Sequence, residues 1–484
     1  MKEKILDLVN ELSAVEIADL RHRLRAISPD DGKYAEGANE LRHFLSPEAE
    51  WHGCANFQLL LLDTRREFGQ AEQRHVDDVR TALDKIDPLN MALLEERVTR
   101  HDQLAVIEEI GRFVSPETKA LLHPGTTSYD ILDSVRSSLF REAWSREMRP
   151  RVKDVIAQLC GLAEETRGIV QVGRTHLQYT SPVLFGATIA GYAARIAERT
   201  QFLDRAYNGL RGKVSGIVGT GASVEMVVGE GKSLEFERVA LAKLDLEPDS
   251  TATQIVQKER LTDVGHGLVT LAHVLGDFAG DMRILYSQDV QEVTSRDAAN
   301  RLGGSSADAS KNNPINWENI EGKVAVVESG MHILYRMIQT DFQRDLRSSV
   351  QARYQPQGMM VEVYEMFGRA GRELKQLSLN QDQIAEHLRR VRDFPSEAMV
   401  AILRGEGWVH PEYGEGHEFV KAISKRAKAE RLPLIEAALQ DSHFQAVYDS
   451  LPDEKQHILR GGLEFYLGHS RERAEDNIAF ARSI

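Results

Sequence analysis

Residues 264–285 read VGHGLVTLAHVLGDFAGDMRIL, and their apolar residues recur at alternating steps of four and three. This spacing is typical of one face of an α-helix, where it forms an apolar seam about three heptads long. A helix with such a seam must pack against partners, because isolated helices are only marginally stable in water. The stretch therefore predicts a bundle of long helices. The seam consists of Val264, Leu268, Leu271, Leu275, Phe278, Met282 and Leu285.

The same periodicity recurs in segments 129–167, 183–210 and 324–338, while strand patterns are sparse along the whole chain. Beyond about residue 370 the apolar pattern becomes shorter and more polar, which indicates a change to smaller helices. We therefore predict an all-α fold, in which a long helical bundle is flanked by smaller helical domains. The predicted parts are an N-terminal helical domain at 1–122, a central long-helix bundle domain at 123–370 and a C-terminal helical domain at 371–484.

Composition narrows the class of protein and of partner. The net charge of −14 argues against nucleic acid as a main partner, because binding a phosphate backbone requires a cationic surface. It does not exclude a small anionic ligand in a locally basic pocket. The 484 residues include no run of 18 apolar ones, so no membrane partner is expected. The amphipathic N-terminus is unlike a signal peptide, and a cytoplasmic location is expected.

The sequence also lacks the usual motifs for metals and cofactors. Cys54 and Cys160 are the only cysteines and have no CxxC spacing, so neither a disulfide framework nor a thiolate zinc site is expected. There is no HExxH motif and no phosphate loop of the GxxxxGK type. We therefore expect no metal and no cofactor.

Three polar segments that contain glycine stand where long helices are predicted to begin. They read HPGTTSYDILD at 123–133, GRTHLQYTSP at 173–182 and GGSSADASKNNPINWENIEGK at 303–323. Each could simply be a turn with a helix cap, since serine and threonine cap helices well and glycine suits turns. Three such segments together favour a different interpretation, in which a polar ligand binds at the ends of the helices.

Several motifs resemble those of the fumarase/aspartase superfamily, and within it those of the adenylosuccinate lyases. GSSADASKNNP at 304–314 is similar to the superfamily signature GSSxMPxKxNP. ISPDDGKY at 27–34, HD at 101–102, TQI at 253–255 and QRDLRSSVQAR at 343–353 resemble segments of the adenylosuccinate lyase subgroup in position and order. The resemblance covers about residues 27–440. It implies a long helical bundle, a homotetramer with active sites shared between subunits, and elimination of fumarate from N-succinyl nucleotides.

The resemblance also implies roles for catalytic residues. Ser305 corresponds to the general base that removes a proton from Cβ, and the adjacent Ser306 stays open as an alternative. Lys311 and the backbone N–H groups of the glycine loop could stabilise the serine alkoxide and the anionic intermediate. His176 corresponds to the general acid for the leaving amine, and Glu318 to the carboxylate that orients it. A pKa near neutrality suits histidine for acid catalysis.

The substrate would bind through a larger set of polar residues. Arg344, Ser349 and Arg353 combine guanidinium groups, a hydroxyl and a predicted helix start, which suits a phosphate group. Thr127 and Ser128 would bind a succinyl carboxylate partly through N–H groups at a helix N-terminus. The other substrate-binding residues that the resemblance implies are Lys33, Tyr34, His101, Asp102, His123, Gln254 and Asn313.

Two departures from the family pattern leave the substrate open. Lys33 replaces an arginine and so loses its bidentate fork, while Asp308-Ala309 replaces a Met-Pro pair in the glycine loop. Three hypotheses follow. The protein could cleave succinyl-AMP and the succinylated imidazole-carboxamide ribotide of purine synthesis, it could cleave a different N-succinyl adduct that carries a phosphate, or it could be a non-catalytic homologue. Retention of Ser305, Lys311, His176 and Glu318 argues against the last.

Overall fold

The computed structural model describes residues 12–296, 311–390, 395–462 and 465–484, and these residues are predominantly helical. The all-α prediction is confirmed. In the first half the helices are α1 Ala14–Arg25, α2 Arg42–Leu45, α3 Pro47–Glu67, α4 Gln73–Leu83, α5 Pro88–Leu94, α6 Asp102–Gly111, α7 Pro116–Ala120, α8 Ser128–Ala143, α9 Arg149–Glu165, α10 Phe185–Asn208, α11 Ala222–Val228 and α12 Ser233–Ala242. They continue with α13 Glu259–Tyr286, α14 Ile315–Met337, α15 Arg347–Gln351, α16 Gln357–Gln376, α17 Gln381–Arg390, α18 Pro395–Gly405, α19 Gly416–Glu430, α20 Leu434–Ala438, α21 Ser442–Ser450, α22 Asp453–Leu459 and α23 Ser470–Arg482.

The strands in the described part of the chain are short and form two-stranded pairs. The longest pair is antiparallel and joins β1 Val170–Thr175 to β2 Gln178–Leu184. The other pairs join β3 Arg211–Gly212 to β4 Glu247–Pro248, β5 Val293–Ser295 to β6 Leu377–Leu379, and β7 Val409–His410 to β8 Gly414–Glu415. A 3₁₀-helix at Ala35–Leu41 and π-helical turns at Glu95–Thr99 and Trp144–Met148 complete the elements.

The chain divides into two compact units, and neither is continuous in sequence. Unit 1 comprises residues 1–152, 199–276 and 320–369, and unit 2 comprises 153–198, 277–319 and 370–484. The three-part division at residues 122 and 370 stays a prediction. None of the helices in the described ranges is long and apolar enough to cross a membrane.

Most of the apolar seam at 264–285 is buried in the fold. In unit 1, Val264, Leu268, Leu271 and Leu275 of α13 are fully buried, and Val327 and Leu334 of α14 are buried as well. A Cβ atom added to Gly265 would lie 2.2 Å from Leu334, and one added to Gly276 would lie 2.5 Å from Val324. The two helices therefore pack so closely that these positions have room only for glycine.

A second core in unit 1 supports the predicted ligand segments. It is built by α3, α4, α6, α8, α11 and α12 and includes Phe57, Ile110, Ile131, Val135 and Leu241. Unit 2 has its own core in the short helices α18–α22, with Phe419, Phe444 and Leu434 fully buried. The prediction of smaller helices near the C-terminus agrees with this part of the structure.

Candidate functional site

Four polar side chains of unit 1 form a cluster that we call the Arg344 cluster. The Arg344 guanidinium donates to Ser349 Oγ at 2.9 Å and to Gln254 Oε1 at 3.2 Å. Its carbon atom Cζ lies 4.0 Å from the centroid of the Tyr129 ring, and the Tyr129 hydroxyl hydrogen-bonds to Ser349 Oγ. Arg344, Ser349 and Gln254 were predicted to bind substrate from three separate positions in the sequence, and the structure brings them together. Tyr129 was not predicted.

Local structure holds each member of the Arg344 cluster. Ser349 lies in the short helix α15, and Asp345 accepts a hydrogen bond from the Arg347 backbone N–H at its start, at 2.7 Å. The Arg347 side chain bonded to Asp345 holds the pKa of that carboxyl well below its usual range. Gln254 is positioned by its backbone N–H, which donates to Gln343 O at 3.3 Å. Contacts within the protein therefore hold the cluster together.

The His123 ring is held in a left-handed turn ahead of α8, where its backbone φ is 64°. Gln58 Nε2 and Thr126 Oγ1 each lie 3.0 Å from His123 Nδ1. With the Gln58 amide donating, Nδ1 is an acceptor, and Nε2 carries the proton of the neutral ring. Burial lowers the pKa of His123 to about 4, and the nearby His101 also lowers it. His123 can therefore donate from Nε2 to an anion without being charged itself.

The lowered pKa of His123 predicts a loss of stability in acid. The unfolded chain takes up this proton below its pKa of about 6.5, whereas the folded chain does so only below about 4, so stability is complete above about pH 6.5 and falls as pH drops towards 4. Because the ring is only partly buried, we expect this difference in pKa to lower the free energy of unfolding by about 1 kcal/mol at pH 5. Urea unfolding at about pH 7.5 and about pH 5 should show that His123→Gln loses less stability between the two than the wild type. An equal loss in both proteins would contradict the assignment.

The N-terminus of α8, where Thr127 and Ser128 lie, is fixed by a buried ion pair. Thr127 is the N-cap and forms a capping box with Asp130. The Asp130 carboxylate is fully buried, pairs with the fully buried Lys213 and accepts from the backbone N–H of Ser215 at 3.0 Å. One carboxylate thus joins the start of α8 to the loop that follows β3, and the sequence analysis did not identify this pair.

His101, Asp102 and Arg353, which the resemblance assigned to substrate binding, all lie near Glu95 in unit 1. His101 is the N-cap of α6, and its Nδ1 atom lies 3.3 Å from Asp102 Oδ1. Burial and the nearby Asp102 raise the pKa of Glu95, while the Arg353 guanidinium lowers it. His101 and Arg353 are both exposed. These side chains can therefore reach a ligand at this surface of unit 1.

Tyr34 lies against a different group of side chains in unit 1. Lys323 Nζ is 4.2 Å from the centroid of the Tyr34 ring, and Lys323 pairs with Glu362 and Glu365. Lys33 is exposed. These contacts do not include members of the Arg344 cluster, although the resemblance assigned Tyr34 and Lys33 to the same substrate.

In unit 2, His176 stands at the tip of the β1–β2 hairpin. His176 and Leu177 form its two-residue turn, both with left-handed backbones, at φ 53° and 60°. Both side chains are exposed. A turn with two left-handed residues matches the twist of the strands, and it presents the imidazole to solvent.

A buried group at the base of this hairpin supports His176. Glu292 is fully buried and accepts from both terminal nitrogens of Arg174, at 3.2 and 2.5 Å. His387 and Gln171 also hydrogen-bond to Glu292. Burial alone would raise the pKa of Glu292, but the hydrogen bonds from Arg174, His387 and Gln171 together hold it below its usual value. Arg174 is two residues from His176, so this network fixes the strand that carries the turn. The sequence signal for it was weak, because Glu292 and His387 lie far from Arg174 along the chain.

The remaining predicted site residues that the structure describes lie in α14 or directly before it. Glu318 lies in the first turn of α14 and is exposed, as is Lys311, while Asn313 is half-buried. Within the described residues no hydrogen bond or ion pair joins His176 to Glu318. Ser305, Ser306 and Asp308 lie outside the described residues. The part of the chain that the structure describes contains no group of three histidine, cysteine or acidic residues that could hold a metal ion.

Comparisons with known proteins agree with the resemblance. Residues 53–328 match the model of a protein family described as lyase. The chain is 25% identical to the adenylosuccinate lyase of Archaeoglobus fulgidus over 464 residues, which are 95% of this chain and 99% of that protein. It is 31% identical to the adenylosuccinate lyase of Synechocystis sp. over 271 residues, which are 56% of this chain and 60% of that protein.

Solved structures show the same fold. The fumarate lyase from Mesorhizobium sp. BNC1 aligns with a TM-score of 0.76 and 21% identity, over 91% of this chain and 97% of that chain. The 3-carboxy-cis,cis-muconate lactonizing enzyme from Pseudomonas putida aligns with a TM-score of 0.78 and 20% identity, over 92% of this chain and 97% of that chain. At these identities the likeness concerns the fold alone. The chain therefore belongs to this lyase family within the fumarase/aspartase superfamily, is similar to adenylosuccinate lyases over almost its whole length, and is a carbon–nitrogen lyase.

Proposed function

We propose that the protein eliminates fumarate from N-succinyl nucleotides, converting succinyl-AMP to AMP and the succinylated imidazole-carboxamide ribotide to its free amide in purine nucleotide biosynthesis. The observation that carries this proposal is the Arg344 cluster, in which a guanidinium and two hydroxyl groups are already held together. Such a cluster suits a phosphate group. The chain is also similar to proteins named adenylosuccinate lyase, and that name matches the proposed reaction.

In the proposed reaction Ser305, or Ser306 in its place, removes a proton from Cβ of the succinyl group. The electron pair of that C–H bond is held on the adjacent carboxylate as an anionic intermediate, and Lys311 and the N–H groups of the glycine loop stabilise its charge. The pair then forms the Cα–Cβ double bond as the C–N bond breaks. His176 gives its proton to the departing nitrogen, with Glu318 orienting the ring, and fumarate and the free amine result.

The binding groups act on the parts of the substrate that do not react. Arg344, Ser349 and Arg353 bind the phosphate, with Gln254 holding the guanidinium plane of Arg344. Thr127 and Ser128 bind a succinyl carboxylate at the N-terminus of α8, where backbone N–H groups and the helix dipole favour an anion. His123, His101, Asp102, Asn313, Tyr34 and Lys33 complete the contacts.

A second candidate is a lyase for a different N-succinyl adduct that also carries a phosphate. Lys33 and Asp308 favour it, because both change the charge or geometry of segments that the resemblance places against the substrate. Two like charges about 5 Å apart repel by about 3 kcal/mol at an effective dielectric constant near 20, so Asp308 would have to point away from a substrate carboxylate, pair with a cation such as Lys311, or meet a different substrate group.

A panel of substrates separates the two candidates. Purified protein is supplied with succinyl-AMP, with the succinylated imidazole ribotide and with other N-succinyl phosphates, and fumarate is measured by its absorbance. The proposed function predicts fumarate from both purine intermediates. Fumarate from another adduct alone supports the second candidate, and fumarate from none of them contradicts both.

The phosphate assignment makes a prediction for Arg344. Replacement by methionine keeps most of the side-chain volume but removes the charged donors to Ser349 and Gln254. A charge-assisted hydrogen bond contributes about 2 kcal/mol, so kcat/KM for the phosphorylated substrate should fall about 30-fold, mainly through KM. The matched control is Arg347→Met, which removes an exposed arginine paired with Asp345 and Asp341. An equal effect of the two substitutions would contradict the assignment.

We further propose that the active protein is a homotetramer whose sites combine residues of different subunits. The exposure of His176, Glu318 and Arg353 supports this, because side chains that are exposed on one chain can contribute to a site formed with another. Mixing His176→Asn with Arg344→Met protein after mild dissociation should restore part of the activity, measured at a substrate concentration below the KM of Arg344→Met, where both variants alone are slow. Sites made by single chains would give none.

We propose that the protein is cytoplasmic. Cys54 and Cys160 are free and buried, and burial raises the pKa of both thiols, so neither thiol is poised for disulfide chemistry. Fractionation of cells that express the chain, with detection by antibody, tests the location.

A further inference from the structure

Tyr129 joins two parts of the binding surface of unit 1. It is the second residue of α8, directly after Ser128, and its side chain is only 5% exposed. Its hydroxyl contacts Ser349 and its ring lies under the Arg344 guanidinium. One rigid side chain therefore connects the helix N-terminus that would bind a carboxylate to the cluster that would bind a phosphate.

The hydrogen bonds of Ser349 show what Tyr129 does. Arg344 donates to Ser349 Oγ, so this oxygen already accepts one hydrogen bond. If the Tyr129 hydroxyl donates as well, both lone pairs of Ser349 are used, and its own proton must go to another acceptor. Ser349 is half-buried, and a ligand can reach it. A phosphate dianion, which only accepts hydrogen bonds, fits this arrangement, and the Tyr129–Ser349–phosphate chain strengthens each of its members.

The ring of Tyr129 has a second effect. A guanidinium stacked on an aromatic face is held in one plane by the cation–π attraction. Gln254 at 3.2 Å holds the same group from its edge. The direction in which Arg344 can donate is therefore set by Tyr129 and Gln254 together.

We propose that Tyr129 is a positioning residue that makes the site selective for a phosphorylated substrate over the corresponding nucleoside, by fixing Ser349 as a donor and Arg344 in its plane. This inference rests on the proposed function and adds to it a residue to which the family resemblance assigned no role. Tyr129 does not touch the reacting atoms. It acts through Ser349 and Arg344.

The test compares one substrate with and without its phosphate. The ratio of kcat/KM for succinyl-AMP to that for the succinylated nucleoside is measured in the wild type and in Tyr129→Phe. Loss of one neutral hydrogen bond corresponds to about 1 kcal/mol, so the ratio should fall about 5-fold. Tyr192→Phe is the matched control, because it removes a buried tyrosine hydroxyl bonded to Asp281 in unit 2, and it should leave the ratio unchanged.

A double substitution shows whether Tyr129 acts through Ser349. In a Ser349→Ala background, Tyr129→Phe should lower the ratio no further, because the hydroxyl that it orients is gone. An unchanged ratio in Tyr129→Phe, an equal loss for nucleotide and nucleoside, or additive effects in the double variant would each overturn the inference.

Binding measurements keep this test separate from that of the proposed function. If the wild type releases fumarate from neither compound, the proposed function fails. Calorimetry with AMP and adenosine then decides the role of Tyr129. The inference predicts that Tyr129→Phe weakens AMP about 5-fold and leaves adenosine unchanged. Equal affinities of wild type and variant for AMP would overturn it.

Discussion

Replacement of His176 by asparagine is expected to lower kcat for the N-succinyl nucleotide at least ~100-fold, the usual contribution of a general acid. Asparagine is chosen because His176 has a left-handed backbone at φ 53°, which asparagine adopts with little strain. The side chain is exposed, so the substitution should leave the stability of the fold unchanged. The measurement is kcat over a range of pH, together with the melting temperature.

The control for this substitution is His332→Asn, which changes an exposed histidine of α14 that has no assigned role. The fall in activity at alkaline pH that a general acid gives to the pH profile should be lost in His176→Asn and kept in the control. A kcat within about 3-fold of the wild type in His176→Asn would mean that another group protonates the leaving nitrogen.

Replacement of Lys213 by methionine is expected to destabilise the protein by about 3–5 kcal/mol, because it leaves the carboxylate of Asp130 buried without its cation. Both side chains are fully buried, and Lys213 Nζ also donates to Gly216 O at 3.1 Å. The loss should also raise KM, because Asp130 forms the capping box with Thr127 at the start of α8. The midpoint of urea unfolding and the KM for the substrate measure the two effects.

The matched control is Lys243→Met, since Lys243 pairs with Asp63 and Glu67 in a partly exposed position. Pairs of this kind contribute at most about 1 kcal/mol. Adding Asp130→Asn to Lys213→Met should recover part of the lost stability, because the unpaired charge is removed. A loss in Lys213→Met no greater than in the control would show that the buried pair does not hold the N-terminus of α8.

The helical seams made the fold predictable. The alternation of four and three residues at 264–285 follows from burial of one helix face, and in unit 1 those residues are fully buried. The requirement for glycine at Gly265 and Gly276 was not visible, because it depends on Leu334 and Val324 of another helix. Periodicity reports which face is buried and does not report how closely two helices approach.

The candidate site was predictable where a motif carries several polar residues. The structure brings Arg344, Ser349 and Gln254 together, and the resemblance to the family had assigned all three to substrate binding. Tyr129 was missed, although it lies in the quoted segment 123–133, because a tyrosine after a helix cap is usually a packing residue. Its role depends on contacts with residues more than 200 positions away.

The structure of a single chain does not connect His176 with Glu318, which the resemblance paired. His176 and Glu318 are both exposed, and no bond links them in the described residues. Their pairing came from the resemblance alone and stays a prediction, as do the roles of Ser305 and Ser306. Neither spacing along the sequence nor burial in a single chain reports the function of side chains that are exposed in this way.

The most direct test is the release of products from succinyl-AMP by purified protein. Fumarate is followed by absorbance, and AMP is quantified in the same reaction by chromatography. The proposed function predicts that the wild type releases the two products in equal amounts, at a rate proportional to the enzyme concentration. It also predicts that His176→Asn and Arg344→Met each lower the rates of both products together. Absence of fumarate with the wild type, or undiminished rates in both variants, would contradict it.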